Sequence, residues 1–195
     1  MTGTSSDRAR FYVALGLVTA ATLMLQIIET RIISVTSWYH LAFFVISIAM
    51  FGLTAGAVAV YLKRDGFDPA RLGSHLAAAT LAFALTTLLA LFVQLTLVSG
   101  LPASVMSMVA WAEFAVALSV PFFFSGVVVS LALTRSPYPI AQVYGADLIG
   151  AAVGCLGVLA LLSLVSGPAA VVWVDRKSTR LNSSHPRLSR MPSSA

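Results

Sequence analysis

Charge is what this sequence lacks most. Of its 195 residues only 10% are charged and 58% are hydrophobic, against roughly 25% charged in an ordinary soluble domain. A water-soluble fold of this length would have too little polar surface to cover its apolar interior, so lipid is the expected solvent. Cysteine is nearly absent: Cys155 stands alone, which excludes an intrachain disulfide and leaves a small packing residue in an apolar run. No metal-ligand spacing, phosphate loop or nucleophile elbow occurs. Gly145-Ala146-Asp147-Leu148-Ile149-Gly150 lacks the glycine spacing and preceding strand of a dinucleotide site. The net charge of +5 also loses its apparent meaning on inspection. From Asp175 onward five Lys/Arg face one acid, leaving about one net positive charge on the rest. Nucleic-acid binding is therefore not expected.

What the chain has instead is a series of long apolar runs. After a polar leader over residues 1–10, spans are expected at about 11–28, 41–62, 74–98, 105–133 and 144–165, each long enough for a hydrocarbon core. The first run follows a positive leader as a secretory signal would, but it is long and lacks a clear small-x-small cleavage site, so it reads as a retained span. Lys63-Arg64-Asp65-Gly66, Ser99-Gly100-Leu101-Pro102 and Arg135-Ser136-Pro137-Tyr138-Pro139 supply the turns. The fourth run is long enough to tilt or kink, and Pro121 gives a kink its cause. The fold class expected is an all-α integral membrane helical bundle. With the N-terminus in the cytoplasm, Arg8, Arg10, Lys63, Arg64, Arg71 and Arg135 lie inside and Arg31 outside, as the positive-inside rule requires.

A sixth apolar run, residues 169–174, follows Ser166-Gly167-Pro168 and stops at Asp175. At about 1.5 Å per residue it is too short to cross a bilayer. The expectation is five full spans plus the start of a sixth, truncated. The segment Asp175-Arg176-Lys177-Ser178-Thr179-Arg180-Leu181-Asn182-Ser183-Ser184-His185 resembles a translated sequencing-library adapter. Residues 175–195 therefore read as an artefactual, disordered tail; the alternative is a genuine basic cytoplasmic tail.

The residues that could carry chemistry cluster around the stretch from Glu29 to Gly56. Glu29 and Arg31 stand at the expected end of span one, in an interfacial turn leading through Trp38, Tyr39 and His40 into span two. That group reads either as an aromatic belt with snorkelling charges or as a functional polar cluster. Glu113 lies about eight residues, roughly 12 Å, into span four, at hydrocarbon depth, where a carboxylate marks a partner, a relay or a site. Arg31 or His40 is its candidate partner, and a register-fixing ion pair is the structural alternative. Asp147, three residues into span five, reads as a charge at the positive end of a helix dipole. Gly52 with Gly56 and Gly150 with Gly154 form small-xxx-small pairs that suit close helix packing.

Glu29-Thr30-Arg31, Trp38 to Phe44, Ser47 to Gly52 and Tyr144 to Ala152 give the chain a resemblance to membrane-bound spermidine synthase-like proteins, over about residues 11–174. The resemblance implies a multi-span section followed by a soluble, Rossmann-type aminopropyltransferase-like domain, tethered to a bacterial inner membrane. It implies a decarboxylated S-adenosylmethionine-type cofactor for that domain, and no catalytic or cofactor-binding residue for this chain. The partners expected are the lipid bilayer and, as an option, further copies of the chain. A competing expectation is a transporter or channel-like bundle with Glu113, Arg31 and His40 as its polar site, weakly supported by the similar ends of spans two and four. A membrane anchor or assembly scaffold is the third.

Overall fold

A computed structural model describes residues 5–36, 41–63, 66–68, 71–97 and 105–182. Within them lie five α-helices: α1 (Ser5–Thr36), α2 (Leu41–Leu62), α3 (Leu72–Leu97), α4 (Val105–Arg135) and α5 (Ile140–Asn182). All five are long and apolar enough to cross a membrane. The fold is all-helical, because a helix satisfies its own backbone N–H and C=O groups where no water can do so. Large apolar side chains such as Leu17, Phe51, Leu88, Val116 and Leu156 stand exposed on the outer surface. Such a surface is compatible with an integral membrane protein, since lipid tails are as apolar as leucine.

Residues 5–156 form one compact unit. Its axis is α4, half of whose spanning window is buried. Against α4 and its neighbours two apolar clusters form. One, containing Leu15, Val18, Val128 and Leu131, fills the half nearer the start of α1. The other, containing Leu25, Ile33, Phe83, Phe114 and Phe122, fills the half nearer its end. Pro121 lies inside α4 and has no N–H to give the carbonyl four residues back, yet the helix continues to Arg135.

Helices approach closely where side chains shrink. A Cβ added at Gly52 would lie 2.8 Å from the Phe122 Cβ, and one at Gly56 would reach Phe123 O and lie 2.9 Å from Val127 N. The matching surface on α4 is Gly126, where a Cβ would meet the Leu53 carbonyl. The second seam joins α1 to α5. A Cβ at Gly150 would strike Gly16 and the Thr19 hydroxyl, and one at Gly154 would lie 2.7 Å from Ala20 Cα. At the start of that seam the Tyr12 hydroxyl donates to Gln142 Oε1 at 2.8 Å. Tyr138 stacks nearby on Phe11 and Tyr12, with centroids 5.1 and 5.6 Å away, and the Arg8 guanidinium lies 5.7 Å over the Tyr138 ring.

Two expected boundaries differ. Span one does not end before Glu29: α1 runs unbroken through Glu29-Thr30-Arg31 to Thr36. No glycine or proline interrupts the sequence there, and continuing the helix leaves no backbone group unpaired at membrane depth. The expected turn at Ser166-Gly167-Pro168 is also absent, because α5 continues helical to Asn182. Residues 157–195 constitute a second unit, and within it 157–182 are helical. The run at 169–174 and the start of the basic segment thus belong to α5. Proline is tolerated inside long apolar helices when nearby groups re-satisfy the backbone. Residues 183–195, the turn at Ser99-Gly100-Leu101-Pro102 and the charged pair at 64–65 lie outside the described residues.

The glycine seams carry a test. Gly56→Ala forces a methyl into the α4 backbone and should cost about 1–3 kcal/mol, as overpacking does. Gly145, whose Cβ would meet nothing within 4 Å, is the control. Gly145→Ala should be neutral or stabilise by up to about 1 kcal/mol. Thermal unfolding of both variants in one detergent reads the difference, and equal melting temperatures would refute the seam.

Candidate functional site

Extending α1 past Glu29 decides where that carboxylate goes. Leu25, Glu29 and Ile33 recur every four residues, so they share one helical face, and all three are buried. Glu29 is 0% exposed. Its surroundings are the apolar cluster of Leu25, Ile33, Phe83 and Phe114, and the Gln94 side chain of α3 faces its carboxyl. The approach falls short of a hydrogen bond: both Glu29 oxygens and Gln94 Nε2 lack a partner at acceptable distance and angle. Leaving a buried polar group unpaired costs about 1–3 kcal/mol, more if it is charged. A buried intramembrane carboxyl of this kind is a functional-site candidate by default.

The other candidates are placed differently. Arg31 lies off the buried face of α1 and is exposed. Glu113 is exposed too, because the inward face of α4 is set by Ala110, Phe114 and Leu118 and position 113 points away from it. Among the described residues no ion pair joins Glu113 to Arg31, and His40, the other expected partner, lies outside them. Trp38, Tyr39 and His40 lie outside the described residues. Asp147 is distant from Glu29. Its carbonyl accepts from the Thr19 hydroxyl at 3.2 Å, and Thr19 is ten residues, about 15 Å, along α1 from Glu29. Since α5 begins at Ile140, Asp147 also stands beyond the first turn, where a helix dipole acts most strongly. Of the four candidates among the described residues, Glu29 is buried, Arg31 and Glu113 are exposed, and Asp147 lies at another level of the bundle.

Asp147 instead borders a second polar place. A cavity of about 410 Å³ lies between α1, α2, α4 and α5, lined by Thr19, Thr22, Ser125, Ser130, Thr134 and Asp147 on its polar side. Leu23, Leu53, Val129 and Leu133 supply its apolar side. A smaller cavity of about 190 Å³ shares Ser130 and Thr134 with it and has Arg135 in its wall. The groove is held open by two interhelical polar bonds. Thr19 ties α1 to α5 through the Asp147 carbonyl, and Thr22 meets Ser125 of α4 at 2.6 Å. Thr22 gives its proton to the Val18 carbonyl at 2.8 Å, so Ser125 is the donor in the bond between them. A bond of this kind contributes about 0.6 kcal/mol in a membrane, at most about 1.7.

The chain matches no family model, no curated protein and no solved structure. Its chemistry is read from these two places alone. Among the described residues no three His, Cys, Asp or Glu side chains gather as a metal site. Each place sets a few polar side chains within an apolar bundle.

Sequence reasoning passed over Gln94, Thr19, Thr22 and Ser125. Gln94 had a signal, an amide inside the apolar run of α3. The hydroxyls had none, since Ser and Thr in a helix can always bond the carbonyl one turn back, as exposed Ser47 and Thr54 do at 2.9 and 2.8 Å.

Glu29 and Glu113 should respond oppositely to loss of charge. Glu29→Gln exchanges an acceptor-only carboxylate for a neutral amide of the same shape that can pair with the Gln94 amide, and should raise stability by about 1–3 kcal/mol. Glu113→Gln should leave it within about 0.5 kcal/mol. Melting temperatures in detergent at neutral pH check this, and a destabilised Glu29→Gln would mean that the carboxylate has a partner.

Proposed function

We propose that this chain is the membrane-embedded section of a spermidine synthase-like protein, anchoring an aminopropyltransferase-like domain at a bacterial inner membrane with its N-terminus in the cytoplasm. The observation that supports this reading is where the resembling motifs fall. Glu29 of the Glu-Thr-Arg motif is the buried carboxylate. Gly52, which ends the Ser47 to Gly52 motif, backs onto α4, and Gly150 of the Tyr144 to Ala152 motif backs onto α1. Residues that recur for a structural reason in a membrane domain would be those that fix its helix seams.

A decarboxylated S-adenosylmethionine-type cofactor would belong to the soluble domain. The residues of this chain do not fit it: no strand and glycine-rich loop precedes a helix among the described residues, and the groove beside Asp147 lacks the acidic cluster that an aminopropyl donor needs. Catalysis is accordingly assigned outside these helices. A purified preparation of this chain should show no aminopropyl transfer to putrescine, assayed by product chromatography; turnover above background would refute the assignment. The genomic reading frame beyond Val174 tests the parentage, because a Rossmann-type domain there supports it and further spans oppose it.

One observation favours a second reading, a transporter-like bundle: the unpaired Glu29 carboxyl facing Gln94. In that reading the intramembrane site is Glu29 rather than Glu113. Full-length protein carrying Glu29→Gln should then fold normally and lose solute uptake, whereas unchanged uptake removes the transporter reading.

A further inference from the structure

The groove bordered by Asp147 differs from ordinary polar packing in the direction of its hydrogen bonds. Thr19 gives its proton to carbonyls, those of Gly16 at 3.1 Å, Asp147 at 3.2 Å and Leu15 at 3.3 Å. Thr22 gives its own to Val18 O at 2.8 Å, Ser125 gives its own to Thr22, and Thr134 gives its own to Ser130 O at 2.7 Å. Four of the five hydroxyls lining the groove have therefore spent their donors on the protein. Toward any further partner their oxygens can act only as acceptors. The Asp147 carboxylate is acceptor-only as well when ionised, it is half-buried, and its side chain makes no hydrogen bond or ion pair among the described residues. The polar wall is thus a set of acceptors with one negative charge.

The rest of the lining is apolar and includes Leu23, Leu53, Val129 and Leu133. A cavity of about 410 Å³ is far larger than a bare cation needs, and most of its lining is apolar. We infer that this groove binds a primary alkylammonium, its –NH₃⁺ donating to the Asp147 carboxylate and the threonine and serine oxygens, its carbon chain lying against Leu23, Leu53 and Leu133. An ammonium brings three donors and no acceptor, the complement of this wall. Two sources could present it, a soluble alkylamine or the ethanolamine headgroup of a membrane lipid; Arg135 in the adjoining wall would suit the phosphate of the latter.

The test uses the whole chain in phosphatidylcholine nanodiscs, titrated calorimetrically with n-octylamine and, in parallel, with n-octanol and sodium chloride. Octylammonium should bind at one site and octanol at least about tenfold more weakly, since a charge-assisted hydrogen bond is lost. Asp147→Asn should reduce octylammonium affinity by about tenfold or more. That variant keeps the backbone carbonyl that Thr19 uses. Should it fail to fold, Thr134→Val at the exposed rim removes one acceptor and should weaken binding severalfold. Nanodiscs containing phosphatidylethanolamine separate the sources: competition there assigns the lipid headgroup, and unchanged octylammonium affinity assigns the soluble amine. Equal binding of octanol, full affinity in the Asp147→Asn or Thr134→Val variant, or displacement of octylammonium by sodium would each overturn the inference.

Discussion

Backbone approach at glycine is the interaction on which the rest of this bundle depends. In lipid the hydrophobic effect no longer drives helices together, because a leucine against a lipid tail is as well placed as a leucine against another leucine. Attraction must come from dispersion at short range, and that range is reached only where side chains vanish. Gly52, Gly56 and Gly126 bring α2 onto α4, and Gly16, Gly150 and Gly154 bring α1 onto α5. Once those backbones touch, the remaining surfaces are fixed in rotation. That rotation decides which polar residues point inward.

The two polar places follow from that geometry, and they are of opposite kinds. Where α1 crosses close to α5, Thr19 can reach the Asp147 carbonyl, and where α1 meets α4, Thr22 can reach Ser125. These bonds commit the hydroxyl protons of Thr19, Thr22 and Ser125 to the protein. At the other end of α1 the same face carries Glu29 into an apolar cluster opposite Gln94, where the Glu29 oxygens and Gln94 Nε2 find no partner. One place is satisfied within the protein and electron-rich toward a ligand. The other is unsatisfied within the protein itself.

Much of the architecture was legible in the sequence because lipid imposes so simple a pattern. The boundaries of α2 coincide with the expected 41–62, and those of α3 and α4 lie within a few residues of the expected spans. What could not be read was rotation. Glu113 and Glu29 look equivalent as acids at membrane depth, but only the packing of Ala110, Phe114 and Leu118 tells that 113 faces outward. Likewise the charges of Glu-Thr-Arg suggested a helix end, whereas α1 absorbs them by turning Arg31 out and Glu29 in. Charge in a sequence marks expense; it does not say on which side of a helix the expense falls.

Recognition and mechanism therefore separate along this chain. Two glycines of the resembling motifs, Gly52 and Gly150, sit on seams, where an added Cβ would collide with a neighbouring helix. The residues with chemical reach are mostly elsewhere: Gln94 on α3, and Thr19, Thr22, Ser125, Ser130 and Thr134 in ordinary-looking apolar stretches. Asp147 belongs to both sets, since its main chain fastens α5 to α1 while its carboxylate borders the groove. A residue held by its backbone is free to use its side chain. That division lets the seam fix the position of a negative charge to within the tolerance of helix packing, without spending the charge on holding the helices together.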